Sequence, residues 1–175
     1  MKQEPKNRRE LFMAFMPENV TGKVLPQLEK WGFFDAPASS RFHGAYAGGL
    51  FDHSYEVAIA LVDLTEKMGL NWQRPESPYI VGMLHDLCKH DSYLLQEDGA
   101  YARNEHAAPG HGEKSVSLIK QLIPLTEEET LCIRWHMGAF DEKENWNCYN
   151  NAVKQFPNVL FTHTADMIAS QVKGV

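Results

Sequence analysis

A chain of 175 residues is one domain by length and can bury a sizeable core. Hydrophobic residues make up 43% and charged ones 23%, a globular balance that excludes wholesale disorder. The net charge of −6 argues against a non-specific binder of nucleic acid or anionic membrane, though not against a site for a small phosphate ester. The three cysteines, Cys88, Cys132 and Cys148, are odd in number and lack a close CxxC pairing, so they read as reduced thiols. The opening MKQEPKNRRELFMAFMPENV has no long apolar run and no small-residue cleavage site. No apolar run approaches the roughly 20 residues of a membrane span. The expectation is a cytoplasmic protein without a leader.

In chain order nearly every periodic segment reads as helix. Residues 8–16 are short and amphipathic and stop before Pro17. A second helix covers 21–31, with Gly32 as its stop and Pro26 as an internal break. Residues 35–49 read as loop, because Pro37, Ser39, Ser40 and Gly44, Gly48 and Gly49 interrupt any period. A long helix follows over 50–68, stopped by Gly69, with His53, Val57, Ala60, Leu64 and Met68 along one face.

Ser77-Pro78 then supplies a capping hydroxyl and a proline at the first helical position. The helix it starts runs over 78–90, with Ile80, Met83, Leu84 and Leu87 at helical spacing and His85-Asp86 in the third turn. Residues 91–103 lack a helical pattern; 93–96 and 100–103, around Asp98-Gly99, form a small β-hairpin. A helix over 111–122 comes next, then one with a capping box, Thr126 and Glu129, ending at Gly138. The stretch AFDEKENWNCYNN reads as loop, 150–155 as a short helix and 158–172 as the last one. No repeat or linker divides the chain. The fold class is all-α, with a single domain over 1–175.

Eight histidines are present, and their placement carries the chemistry. His53 lies in the long helix, His85-Asp86 in the next, His111 at a helix start, His136 at a helix end and Asp166 inside the last helix. Each alone has an ordinary explanation. A helical histidine usually packs, His136 answers a helix dipole, and Asp166 pairs with Lys173. His90 and His106 are such bystanders. Together the set H…HD…H…H…D needs more, because burying these groups unpaired costs several kcal/mol. Imidazoles and carboxylates from separate helices are what a first-row transition metal prefers in a bundle core. Neighbours on a helix point about 100° apart, so His85 and Asp86 can straddle one ion, or Asp86 can bridge two. Gly82, three residues before His85, leaves that side of the pair uncrowded.

With AYAGGL, HDLCK and GHG in the same order, the sequence resembles the HD-domain metal-dependent phosphohydrolase superfamily. HDLCK fits its HDxxK form, and FHGAYAGGLFDHSYEVA is similar to a segment of the bacterial 3′–5′ exoribonucleases. The resemblance spans about 42–169, which makes that stretch the site-bearing core of a helical bundle with the helices within 8–31 packed on it. It implies that His53, His85, Asp86 and Asp166 hold one ion. His111 and His136 match the added histidines of two-metal members, with Asp86 bridging. Two divalent ions, drawn from Mn, Fe, Ni or Co, are the implied cofactors. The chain departs from the pattern at His136-Met137-Gly138, where His-His-Gly is frequent, at Phe42-His43 for the first His-His, and in having no GYP motif.

Lys89, four residues after His85 and three after Asp86, lies on their side of the helix and is the candidate contact to the scissile phosphate or the nucleophile. His43 in the glycine-flexible loop and His163, one turn before Asp166, are candidate substrate contacts; Arg103 and Lys114 are placed to cover the substrate. The expected activity is hydrolysis of a small nucleotide or related phosphomonoester by metal-activated water, with Asp86 and Lys89 as catalytic residues. Two other readings stay open: a mixed-valent di-iron oxygenase, which shares the ligand set, and a non-catalytic nucleotide sensor. The N-terminal stripes would also allow a homo-oligomer.

Overall fold

The computed structural model describes residues 7–175; the first six positions, part of the leader reading above, lie outside them. The elements are α1 (Arg8–Phe15), α2 (Glu18–Lys30), α3 (Gly49–Met68), α4 (Ser77–Leu84), β1 (Tyr93–Leu95), β2 (Tyr101–Arg103), α5 (Gly112–Lys120), α6 (Glu127–Arg134), α7 (Trp146–Gln155) and α8 (Asn158–Met167). The two strands form one antiparallel hairpin with Tyr93 opposite Arg103 and Leu95 opposite Tyr101. The fold is all-α with one small hairpin. Among the described residues no helix is long and apolar enough to cross a membrane.

One apolar cluster holds the elements together. Val57, Ala58 and Leu61 of α3 meet Ile80, Val81 and Leu84 of α4, and Ile133 of α6 and Val159 and Ala165 of α8 close the far side. Each of the valines, leucines and isoleucines among them, fully buried, is worth about 1.5–3 kcal/mol. Phe12 of α1 and Val24 and Leu28 of α2 belong to the same cluster, joined by edge-to-face contacts such as Phe33 on Phe51 at 6.1 Å. Arg8 also grips Asp52 through both carboxylate oxygens, at 2.8 and 2.9 Å, and so fixes the turn of α3 that carries His53.

Several sequence expectations change in detail. Helix α2 runs unbroken through Pro26. The carbonyl that proline leaves unpaired belongs to Gly22, on an exposed face with nothing within 4 Å of a built Cβ, so water can satisfy it. Ser77 does not cap α4: its hydroxyl donates to the buried Glu129 at 2.8 Å, a carboxylate also held by Arg74 at 2.7 Å. Met68, placed on the core face, is 60% exposed. Residues 146–149, read as loop, are the first turn of α7. Gly82 does not leave open space either. A Cβ there would lie 2.4 Å from the Cα of Ala58, so this glycine is what lets α3 and α4 approach.

The largest local difference is at the end of α4. The α-helix stops at Leu84, and residues Leu87–Asp91 form a 3₁₀ helix. The amide of Cys88 donates to Ser115 Oγ at 3.0 Å instead of continuing the α-helical ladder. Side chains three apart eclipse on a 3₁₀ helix, and this brings Lys89 Nζ to 2.7 Å from Asp86 Oδ2.

Candidate metal centre

Five helical elements deliver side chains to one buried point. His53 comes from α3, His85 and Asp86 from the end of α4, His111 from the residue capping α5, His136 from just beyond α6 and Asp166 from α8. His53, His85 and His136 are fully buried, and Asp86 is 2% exposed. Asp86 sits at the middle. Its Oδ2 faces His53 Nε2 at 3.5 Å and His85 Nε2 at 3.6 Å, and its Oδ1 faces His111 Nε2 at 3.1 Å and His136 Nε2 at 3.3 Å. Asp166 Oδ1 lies 3.3 Å from His53 Nε2.

Main-chain oxygens turn the imidazoles. His85 Nδ1 is 2.8 Å from the carbonyl of Gly82, His136 Nδ1 2.7 Å from that of Ile133, and His53 Nδ1 2.9 Å from a main-chain oxygen of Val175. Main-chain oxygens only accept, so each Nδ1 carries the proton and each Nε2 presents a lone pair inward. Those lone pairs face carboxylate oxygens, and acceptor against acceptor is repulsive. His53 Nε2, His85 Nε2 and Asp86 Oδ1 are buried with no hydrogen-bond partner. The donor set therefore fits a divalent cation, which would satisfy all of these atoms. Among the described residues, three overlapping trios have potential ligand atoms within 4.8 Å of one another: His53, His85 and Asp86; His85, His136 and Asp166; and Asp86, Cys88 and His111. His136 thus stands between the two sides of Asp86.

The charge states follow from the surroundings. Burial drives the His85 imidazole down to about 3, so it stays neutral, the form that could bind a metal. Burial alone would raise the Asp86 carboxyl, but the Lys89 ammonium and the surrounding imidazoles outweigh it and hold it well below the usual carboxylate range. Asp166 is held low as well, burial being outweighed by the His53 ring and the other imidazoles around it. Lys89 is raised: burial opposes its charge, and Asp86 more than compensates.

His85 links stability to pH. The unfolded chain takes up the His85 proton near pH 6.5, the folded one only near 3. Stability from this group is complete above about pH 6.5 and falls as the pH drops toward 3. The slope approaches about 1.4 kcal/mol per pH unit. Denaturant titrations of chelator-treated protein between pH 7.5 and 4 should show this decline, and a flat profile would contradict it.

Two cavities open on the centre. A small one of about 170 Å³ is lined by Asp86, Asp166, Lys89, His43 and Phe140. A larger cleft of about 1000 Å³ shares His43, Lys89 and Phe140 and continues past His111 to Arg103. Its aromatic rim is open to solvent, with Phe42 80% and Phe140 67% exposed. His43 lies 5.3 Å from the His53 ring, and burial, with His53 and Lys89 nearby, lowers its pKa.

Other candidates are placed elsewhere. His163 lines neither cavity; its Nδ1 donates to the His136 carbonyl at 2.8 Å, and its ring packs where a Cβ on Gly138 would be. Lys114 is tied to Asp91 at 2.6 Å. His90 stacks on Trp31 with ring centroids 5.4 Å apart. One residue beside the cluster escaped the sequence reading. Cys88 Sγ is 3.2 Å from His111 Nδ1, and burial pushes its thiol up to about 12, so it remains protonated. Its position two residues after Asp86 was the available signal.

No protein-family model and no solved structure matches the chain. A curated relative does: the dihydroneopterin 2′,3′-cyclic phosphate phosphodiesterase of Methanocaldococcus jannaschii is 36% identical over 73 residues. That alignment covers 38% of this chain and 28% of the relative, so less than a third of the relative's length is matched. A phosphodiesterase homologue and a buried histidine–aspartate cluster suited to a divalent metal are thus found together.

Proposed function

We propose that the protein is a metal-dependent phosphohydrolase of the HD superfamily that cleaves a small phosphoester, built as one domain around the centre described above. The observation that carries this reading is Asp86, a buried carboxylate whose two oxygens face different pairs of imidazole nitrogens. His53, His85, Asp86 and Asp166 are assigned to one ion, and His111, His136 and the other oxygen of Asp86 to a second. Mn, Fe, Ni or Co suits such nitrogen and oxygen ligands. Bound there, divalent ions would supply the Lewis acidity that acidifies water and neutralises phosphoryl oxygens.

The protein's own groups do the rest. Asp86 stays ionised and offers an oxygen to each side. Lys89 keeps its proton, so it acts as a fixed cation toward a phosphoryl group, and its contact at 2.7 Å also holds Asp86 in place. His43, lining both cavities beside Lys89, is positioned to hold a substrate oxygen. A cleft of about 1000 Å³ is far larger than a phosphate needs. It suits an organic group carried on the ester, with Arg103 and Phe140 as its walls. The named activity of the relative supports a phosphodiester, including a cyclic one, alongside a nucleotide monoester.

The test is a panel of phosphomonoesters and of 2′,3′- and 3′,5′-cyclic phosphodiesters, offered to chelator-treated protein reloaded with Mn²⁺, Ni²⁺, Co²⁺ or Fe²⁺. Phosphate-ester turnover that depends on the added metal is the expected result. Oxygen uptake by an iron-loaded form with an organic substrate would replace the hydrolase with an oxygenase. Nucleotide binding without turnover in every metal would make the protein a sensor.

A further inference from the structure

The three main-chain oxygens that orient imidazoles in the centre are not equivalent. Gly82 serves His85 and Ile133 serves His136, each from three residues earlier in the chain. Those contacts form as soon as the local turn forms. His53 takes its acceptor from Val175, 122 residues away. Among the described residues no other acceptor bonds His53 Nδ1.

The path that brings this oxygen to His53 is specific. After α8 the chain widens into a π-helical turn over Ile168–Lys173. Ser170 Oγ donates back to the Asp166 carbonyl at 2.9 Å, a bond of the kind that bends helices. The backbone then reverses at Gly174 with φ +76°, and the Val175 amide donates to the Ala169 carbonyl at 3.2 Å. Lys173 pairs with Glu56, one turn beyond His53 on α3. The segment thus begins at one proposed ligand, Asp166, and ends on the orienting partner of another, His53.

We propose that residues 168–175 are a positioning strap for the metal centre: docked on α3, the strap fixes the His53 ring with Nε2 bare and aimed at Asp86 and Asp166, and the His53 side of the centre binds metal well only while it is docked. This rests on reading the cluster as a metal centre. With the strap displaced, His53 Nδ1 loses this acceptor, so the neutral ring can take the Nε2–H tautomer, which Asp166 Oδ1 at 3.3 Å can accept from. His85 and His136 keep their own carbonyls and are unaffected. Val175 is a positioning residue and touches no substrate. Loss of such an outer partner typically lowers metal affinity about 10–100-fold.

Gly174 gives the means of testing this in the full chain. Asparagine tolerates the left-handed region, whereas a β-branched residue there is a severe outlier. Gly174→Asn should retain wild-type behaviour and Gly174→Ile should lose it. Calorimetric titration of chelator-treated protein with Mn²⁺ should show about a 10–100-fold weaker step in Gly174→Ile. In the metal-free protein, ¹⁵N imidazole spectra should show His53 leaving the Nδ1–H tautomer while His85 and His136 keep it.

A structural role alone would not single out one ring of three. Should Gly174→Ile fail to fold, the pair Glu56→Gln and Lys173→Gln, which removes the anchor without backbone strain, should shift the His53 signal in the same direction. A variant that folds with wild-type Mn²⁺ affinity and an unchanged His53 tautomer overturns the strap alone. A wild-type protein that binds neither Mn²⁺ nor Co²⁺ overturns the metal-centre reading and the strap with it.

Discussion

Asp86→Asn is expected to abolish metal binding and phosphoester turnover together, whereas Lys89→Met should lose turnover and keep its metal. The two side chains touch at 2.7 Å, yet the difference follows from what each faces. Asp86 presents Oδ2 to His53 and His85 and Oδ1 to His111 and His136, so every proposed ligand nitrogen lies near one of its oxygens. Asparagine keeps the volume but removes the charge, and its NH₂ can donate to the bare Nε2 atoms that a cation would otherwise occupy. Metal affinity should fall by more than the roughly 10–100-fold of an outer-shell change. Turnover should drop by at least about 10³-fold, the upper end for losing one electrostatic stabiliser. Lys89 faces the cavities and is 16% exposed at its side chain, so methionine removes a cation from the phosphoryl side without removing a ligand. Elemental analysis of the purified variants, with thermal melts to confirm folding, separates the outcomes. Full metal content in Asp86→Asn, or metal loss in Lys89→Met, would defeat the assignment of roles.

Much of the fold was legible because it is written in local signals. The capping box of Thr126 and Glu129, Gly69 as a left-handed stop and the apolar period of 50–68 each act within a few residues, and the corresponding helices form. The order of the polar residues was legible for the same reason, since each marks a helix by its position. What could not be read depended on tertiary partners. Ser77 looks like a cap until Glu129 arrives from α6 to take its hydroxyl. The α-helix through 78–90 looks continuous until Ser115 captures the Cys88 amide and converts the end to 3₁₀ geometry. Pro26 reads as a break, but a break forms only where the orphaned carbonyl is costly, and Gly22 leaves it in water.

The centre shows the same division. That His53, His85 and His136 lie on helices could be inferred; the main-chain oxygens that turn them could not. Main-chain acceptors have no side-chain signature, so Val175 was invisible as a partner of His53. His163 misleads for a related reason. One turn before Asp166 it shares a helix face with it, but the residues after α6 pass close enough for the His136 carbonyl to claim its Nδ1 proton. Spacing on one helix says which way a side chain can point. It does not say which neighbour will hold it.

Gly82→Ala is expected to destabilise the protein by about 1–3 kcal/mol, the usual cost of overpacking a core, although alanine is the better helix former. In a helix interior glycine is normally worse than alanine by roughly 1 kcal/mol, so the sign must come from the tertiary contact. The added Cβ would sit 2.4 Å from the Cα of Ala58 and 2.9 Å from its Cβ, and the first of these is backbone that cannot rotate away. Helix α4 must then move off α3. The rings of His53 and His85, one on each helix and 5.3 Å apart, would separate with it. The carbonyl that orients His85 belongs to Gly82 itself and would shift too. A fall of several degrees in melting temperature should therefore accompany weaker metal binding. Gly22→Ala supplies the contrast. It lies in α2 with nothing within 4 Å of the new methyl, so the ordinary helical preference of about 0.5–1 kcal/mol should act unopposed and raise stability. Opposite signs for one chemical change, read by melting both variants beside wild type, would show that Gly82 is set by helix–helix distance at the candidate metal centre. A Gly82→Ala protein that melts at or above wild type would show instead that α3 and α4 can part without cost.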